Sequence, residues 1–168
     1  MSNTTELLMQ IPPAVFASLE DTFTQMVMLP VSVGEIASKE AGSPTGNVSG
    51  TISLSGTHPE SGIEVRAQLS LIFPEELAKL IFRSMMMMES DAEVASDELN
   101  DVVGELANMA AGGAKTRLSE KGFLLSLSLP TIAVGVNHHL CTPSGVKLTM
   151  VAPVTLNADV FYTQISVS

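Results

Sequence analysis

The chain has 168 residues, is 45% hydrophobic and carries 18 acidic against 8 basic residues, for a formal net charge of −10. This predicts one compact domain over residues 1–168 with a substantial core, and it argues against binding to nucleic acid or to an anionic membrane, since both require clustered Lys and Arg. One cysteine, Cys141, excludes an internal disulfide. The N-terminus lacks a signal-peptide pattern, and no apolar run approaches the roughly 20 residues of a membrane span. We therefore expect a soluble, cytoplasmic protein.

The first predicted element is an amphipathic helix over residues 13–28. It opens with a proline, and its apolar positions Val15, Leu19, Phe23 and Met26 recur at helical spacing. Residues 31–38 are predicted to form a strand, and the turn-forming residues 41–47 a loop.

Two alternating segments follow, at residues 48–56 and 62–73, with a hairpin turn at 57–62. In the second segment apolar residues occupy every other position from Ile63 to Leu71, with polar residues between them. This pattern is typical of a half-buried antiparallel strand.

Two helices come next, at residues 74–88 and 91–119, the first opening with proline and acidic residues. The pattern then returns to period two, and it predicts strands at 123–130, 131–138, 145–154 and 156–164, with a turn at 141–145.

A helix followed by strands thus occurs twice along the chain. We expect an α+β fold built from two pseudo-repeated halves, in which long helices pack on a mostly antiparallel sheet. A doubly wound parallel fold is disfavoured, because the strands come in hairpin-spaced runs and do not alternate with helices.

The helix over residues 91–119 carries a polar stripe. Its members are separated by four, three, four and three residues, a spacing that places them on one side of a helix: Asp101, Glu105, Asn108, Gly112 and Lys115. A solvated face is the ordinary reading of such a stripe. However, Asn in mid-helix and the pair Gly112–Gly113 both weaken a helix, the glycines by about 1 kcal/mol each relative to Ala. A functional reading is that the missing side chain at Gly112 lets another surface approach the helix. The structural reading is that both glycines allow this helix to pack closely on the sheet.

Asp101, Glu105 and Asn108 are followed by residues 109–129 and then by Pro130. This arrangement resembles the signature of the CheC/CheX/FliY family of bacterial chemotaxis phosphatases, which has an Asp or Ser, a Glu, an Asn and a distant Pro at this spacing. The segments "ELANMAAGGAKTRLSE" and "LSLPTI" are most similar to CheX-type members. The close match covers about residues 97–132.

The resemblance implies a phosphatase that accelerates hydrolysis of the aspartyl phosphate of a response-regulator receiver domain, typically CheY-phosphate. Asn108 would orient the attacking water and Glu105 would pair with the receiver's lysine. Four further residues would be accessory: Asp101, Gly112, Lys115 and Pro130. Asp101 would orient Lys115 or make capping contacts, and Pro130 would shape a strand end. No cofactor of its own is expected, because the receiver brings Mg²⁺.

Family members carry one or two active helices. Aligning "EDTFTQM" with "GELANM" places Thr22 at the Glu105 position and Gln25 at the Asn108 position. Thr22 cannot supply a carboxylate, so one site is expected, as in CheX.

Other signals are weaker. His138, His139 and Cys141 suggest zinc, but neighbouring strand positions point to opposite faces, so we expect no metal site. The run Met85–Met88 is assigned to the core and a helix end, with an adaptable partner surface as the alternative. Unprotected edge strands, together with the resemblance to CheX, favour a homodimer.

Two alternatives remain open. One is a non-catalytic module of the same fold that binds a receiver or the flagellar switch, as the middle domain of FliM does; the Glu105–Asn108 pair, which that domain lacks, argues against it. The other is a phosphatase acting on a receiver outside chemotaxis.

Overall fold

The computed structural model describes residues 3–168. Four α-helices are present in that range: α1 (Asn3–Leu8), α2 (Ile11–Thr22), α3 (Glu75–Met85) and α4 (Ser96–Ser119). Helix α2 continues directly into a π-helical turn, Phe23–Val27. No helix among residues 3–168 is long and apolar enough to span a membrane.

Eight strands form one sheet in which every pairing is antiparallel. They are β1 (Ser32–Val33), β2 (Ala37–Ser38), β3 (Gly46–His58), β4 (Ile63–Phe73), β5 (Leu124–Leu127), β6 (Thr131–His138), β7 (Leu148–Leu156) and β8 (Asp159–Val167).

The topology shows the two halves that the sequence predicted. Each half contains a helix, two edge strands and a long hairpin: α2, β1, β2 and β3–β4 in the first, and α4, β5, β6 and β7–β8 in the second. The hairpins join through β4 and β8 at the centre of the sheet. Strands β1 and β2 pair with β7, whereas β5 and β6 pair with β3. Each half therefore completes the sheet edge of the other.

Helices α2 and α4 pack side by side over the sheet and bury a continuous core. Alternate residues of the central strands point into it, among them Ile52, Leu69 and Ile165, each at most 1% exposed. Phe161 stacks between Phe23 and Phe73, with ring centroids 5.2 and 4.6 Å apart. Contacts of this kind fix where the C-terminal end of α2 lies relative to the sheet.

The predicted strand over residues 31–38 is wrong as a continuous element. It is two short pairings with β7, separated where Gly34 packs against Pro153, whose carbonyl accepts the Gly34 N–H at 2.8 Å. Proline has no N–H to donate, so the ladder is interrupted at that point.

Several predicted boundaries also move. The strand predicted at 123–130 ends at Leu127, because the Ser128 hydroxyl, not a backbone carbonyl, accepts the Ser53 N–H at 2.9 Å. The helix predicted at 91–119 begins at Ser96, where the Glu98 carboxylate accepts the Ala95 N–H at 3.0 Å. The prediction at 131–138 matches β6. The remaining elements shift by a few residues, and α1 was not predicted.

Candidate functional site

The exposed face of α4 presents Glu105 and Asn108 to solvent, one turn apart. At a separation of three residues, both side chains leave the helix on the same side. Within residues 3–168, neither the Glu105 carboxylate nor the Asn108 carboxamide has a hydrogen-bond or ion-pair partner. These groups are therefore free to bind an external molecule.

Close packing beneath the helix fixes the position of this pair. The opposite face of α4 is buried, with Val103, Leu106 and Ala107 at most 1% exposed. Strand β3 approaches through Gly50, where a Cβ would lie 3.0 Å from the Val103 carbonyl oxygen. The backbone that carries Glu105 and Asn108 thus rests directly on the sheet.

Helix α2 holds the next turn of α4. The Ser18 hydroxyl donates a buried hydrogen bond of 2.6 Å to the carbonyl of Ala110, and Arg117 forms an ion pair with Asp21. The Ser18 bond adds a polar contact to apolar packing, and it lies two residues beyond Asn108.

The two adjacent glycines of α4 have different surroundings. A Cβ on Gly113 would collide with the Ser18 hydroxyl, so this glycine permits the close approach of α2. A Cβ on Gly112 would meet nothing within 4 Å. The expectation of close packing therefore holds for Gly113, against a helix and not the sheet, and Gly112 leaves open space beside Asn108.

Two concavities flank the Glu105–Asn108 pair. On one side a cleft of about 660 Å³ lies between α3 and α4, and Asp101 and Glu105 line it. On the other side a groove of about 610 Å³ runs between α2 and α4, and Asn108 and Gly112 line it. The pair thus stands on a ridge with room on both sides for a protein surface.

The accessory residues predicted from the sequence are dispersed. Asp101 and Lys115 are both exposed but lie 14 positions apart, about 21 Å along a helix, and the ion pairs found among residues 3–168 include neither of them. Asp101 therefore does not orient Lys115. Pro130 lies between β5 and β6, with its Cγ 3.5 Å from where a Cβ of Gly104 would be.

The corresponding part of the first helix looks different. Thr22 is buried, and its hydroxyl donates to the Ser18 carbonyl at 2.9 Å. Gln25 is exposed but belongs to the π-helical turn, where the side-chain spacing departs from that of an α-helix. No acid and amide pair equivalent to Glu105 and Asn108 is therefore presented by residues 22 and 25.

Two of the three histidines, His58 and His138, are engaged in local structure. His138 contacts the Ser49 hydroxyl and the Gly135 carbonyl, each at 2.8 Å, and His58 contacts the Ser61 hydroxyl and the Lys121 carbonyl. Across the part of the chain that the structure describes, no three His, Cys, Asp or Glu side chains are grouped closely enough to hold a metal ion.

The sequence reasoning missed the cleft between α3 and α4. Met85 is partly buried against the core and α3 ends there, as predicted, whereas Met86, Met87 and Met88 are exposed beyond the helix end, so the core assignment applies to Met85 alone. Four consecutive methionines, the first of which ends an 11-residue helix, were the available signal, because a core position cannot recur at every residue.

The chain is similar to known proteins both in sequence and in structure. The family model described as "Chemotaxis phosphatase CheX" matches residues 48–152. The comparison with curated proteins returned no match. Among solved structures, the chain is similar to chemotaxis protein CheX from Vibrio vulnificus, at 26% identity and a TM-score of 0.81, over 95% of this chain and 99% of that one.

Two further structures are similar. A CheC-like superfamily protein from Shewanella sp. PV-4 has 27% identity and a TM-score of 0.82, over 94% of this chain and 97% of that chain. CheX of Borrelia burgdorferi, solved as a CheX–CheY–BeF3–Mg²⁺ complex, has 18% identity and a TM-score of 0.72, over 92% and 96%. The family match extends over more than half of the chain, and the chain belongs to the CheX family of chemotaxis phosphatases.

Proposed function

We propose that this protein accelerates hydrolysis of the aspartyl phosphate of a response-regulator receiver domain, with CheY-phosphate as the first candidate substrate. The observation that carries the proposal is the exposed, unpartnered pair Glu105 and Asn108 on a helix whose backbone is fixed by the sheet and by α2. Membership of the CheX family and the CheY-bound structure of the Borrelia relative support it.

The chemistry requires little from the protein. Water attacks phosphorus, the bond between phosphorus and the aspartyl oxygen breaks, and the electron pair stays on the aspartate carboxylate. The proton lost by the water is taken up by the inorganic phosphate that leaves. Phosphoryl transfer depends mainly on alignment and charge stabilisation, and the receiver's Mg²⁺ and lysine supply the positive charge.

Asn108 is suited to aligning the water. Its amide oxygen accepts a hydrogen bond from the water while its NH₂ group donates elsewhere. The carboxamide is neutral, so it does not repel the phosphoryl oxygens as a carboxylate would. The open space at Gly112 supports close approach of the receiver on this side.

Glu105 is suited to pairing with the receiver's lysine. It lies one turn from Asn108, and its carboxylate is unpaired within residues 3–168. A charge pair made as the receiver docks would fix the angle at which Asn108 meets the phosphoryl group.

The competing function is a module of the same fold that binds without catalysis. Such a module has no use for an acid and an amide held one turn apart on an exposed ridge. The Glu105–Asn108 pair therefore favours the phosphatase.

We also propose that the protein is a homodimer joined through β6. Among the described residues β6 pairs with β3 alone, so its other edge is open, and it carries Val134 and Val136, 68% and 85% exposed. An open edge with apolar side chains is suited to pairing with a second copy.

The proposed function is tested by the lifetime of phosphorylated CheY in the presence of Mg²⁺. With catalytic amounts of this protein the phosphoryl group should disappear several times faster than by autodephosphorylation alone. An unchanged lifetime across a panel of phosphorylated receivers, CheY included, would contradict the proposal.

A further inference from the structure

The cleft between α3 and α4 is apolar at its centre. Its lining includes Phe82, Met85, Met86, Met88 and Val102. Met86 and Met88 are 56% and 39% exposed, although they are large apolar side chains. Methionine is flexible and polarisable, and exposed methionines are typical of surfaces that bind apolar side chains of another protein.

The rim of this cleft is acidic. Glu98, Asp101 and Glu105 line it, and among residues 3–168 no Lys or Arg does so. None of the three forms a salt bridge within residues 3–168. An occupant with a basic group beside an apolar side chain would therefore complement the cleft.

The cleft is continuous with the proposed active site, because Glu105 belongs to both. A protein that pairs with Glu105 must also cover the surface beside this residue. A receiver that pairs with Glu105 and extends towards α3 would therefore contact Met86 and Met88, which line the same cleft.

The backbone holds the methionines in place. Helix α3 ends in a turn where the Met88 N–H donates to the Arg83 carbonyl at 2.9 Å and the Met87 N–H to the Ser84 carbonyl at 3.3 Å. Met87 adopts a φ of 54°, in the left-handed region that glycine usually fills at this position. The chain keeps a large side chain where a glycine would be less strained, and the turn places Met86 and Met88 against the cleft.

We propose that this methionine cleft, formed around Met86 and Met88, docks an apolar side chain of the receiver that lies beside a Lys or Arg near its phosphorylation site. The inference rests on the proposed function and adds the surface that selects the receiver. Met86 and Met88 contribute to affinity, whereas Asn108 contributes to the rate.

The test measures binding and catalysis separately. Binding is measured with CheY loaded with Mg²⁺ and BeF3⁻, a stable phosphoryl mimic, and hydrolysis with phosphorylated CheY. The Met86→Gln/Met88→Gln double variant removes the apolar contact, and Met86→Leu/Met88→Leu retains it. Met87→Gln is the matched control, because Met87 is 90% exposed and does not line the cleft. Circular dichroism and thermal melts verify that each variant is folded.

We expect the double Gln variant to raise Kd roughly tenfold while kcat stays within about twofold, the loss typical of removing apolar anchors from an interface. The double Leu variant and Met87→Gln should keep Kd within about twofold of the wild type. An unchanged Kd for the double Gln variant would overturn the docking role, and so would an equal rise in Kd for Met87→Gln.

Failure of the docking role is distinguishable from failure of the proposed function. Wild-type protein that hydrolyses CheY-phosphate, combined with an unchanged Kd in the double Gln variant, overturns the cleft alone. Wild-type protein that binds the mimic but hydrolyses no phosphorylated receiver of the panel, CheY included, overturns the phosphatase, and the Kd values of the variants still decide the role of the cleft. Wild-type protein that binds the BeF3⁻ form of no receiver in the panel overturns both.

Discussion

At the scale of single residues, Glu105 and Asn108 are neighbours on α4 but differ in charge. We therefore expect them to contribute differently to receiver binding and to the rate of hydrolysis. The carboxylate can form a charge pair in the encounter with the receiver and keep it in the transition state. Under the proposed function, the amide of Asn108 contributes mainly when the water is in line with phosphorus. Substitutions at the two positions should therefore affect binding and rate to different extents.

Loss of the Glu105 charge should weaken both binding and hydrolysis. Removing one partner of a desolvated charge pair costs about 2–5 kcal/mol, so Glu105→Gln should raise Kd for CheY–Mg²⁺–BeF3⁻ and lower the rate with CheY-phosphate. Glu105→Lys should be worse, because it places a second positive charge beside the receiver's lysine. Wild-type behaviour of Glu105→Lys in both assays would show that Glu105 is an ordinary solvated residue.

The position of a side chain could be predicted from the sequence where its contacts are local, and not where they involve residues far away in the chain. Helical spacing was enough to predict that Glu105 and Asn108 share an exposed face. The family resemblance suggested that Asp101 could orient Lys115, which fails because a shared helix face does not bring together residues 14 positions apart. The different surroundings of Gly112 and Gly113 depend on Ser18, almost a hundred residues earlier, and no local pattern contains that contact.

At the scale of elements, the packing of α2 against α4 sets the position of the site. It depends on the hydrogen bond from Ser18 to Ala110 and on the absence of a side chain at Gly113. The neighbouring Gly112 faces open space and takes no part in this packing.

The two glycines provide a matched pair of variants. Gly112→Ala should raise the free energy of unfolding by roughly 0.5–1 kcal/mol, because Ala is the better helix former and nothing obstructs its Cβ. Gly113→Ala should lower that free energy by about 1–3 kcal/mol, the usual effect of overpacking. Urea denaturation measures both. If the two variants were equally stable, the close approach of α2 at Gly113 would be contradicted.

The periodicity of apolar residues predicted the uninterrupted strands correctly, but it did not predict where a strand is interrupted. The alternation in β4 and the extent of β6 were evident from the sequence. Residues 31–38 were predicted as one strand because their own pattern is extended, and the interruption comes from Pro153 in a strand more than a hundred residues later. The prediction for the methionine run was confirmed at Met85 and at the helix end, but apolar character alone does not tell a methionine in the core from one at an open cleft.

At the scale of the whole molecule, the two pseudo-repeated halves differ in the side chains that their helices present. Both halves place a helix over the sheet, but only α4 presents an acid and an amide one turn apart. In α2 the corresponding threonine is buried and the helix changes to π geometry, so this half serves to position α4.

The sheet edges should also determine the oligomeric state. If β6 pairs with a second copy, the wild-type protein should sediment as a dimer. The variant Val134→Lys/Val136→Lys should sediment as a monomer with an unchanged circular dichroism spectrum, because like charges would face each other across the new sheet. A wild-type monomer at tens of micromolar, or a dimeric double variant, would rule out this interface.

The proposed role of Asn108 is tested most directly by comparing the rates of CheY-phosphate hydrolysis by the Asn108→Ala and Gln25→Ala variants. Both residues are exposed amides lining the same groove, but under the proposed function only Asn108 aligns the attacking water. Asn108→Ala should lower the stimulated rate by about 100-fold or more and leave Kd for CheY–Mg²⁺–BeF3⁻ within about twofold, whereas Gln25→Ala should hydrolyse CheY-phosphate at a nearly wild-type rate. Equal stimulated rates for the wild type and Asn108→Ala would contradict the assignment.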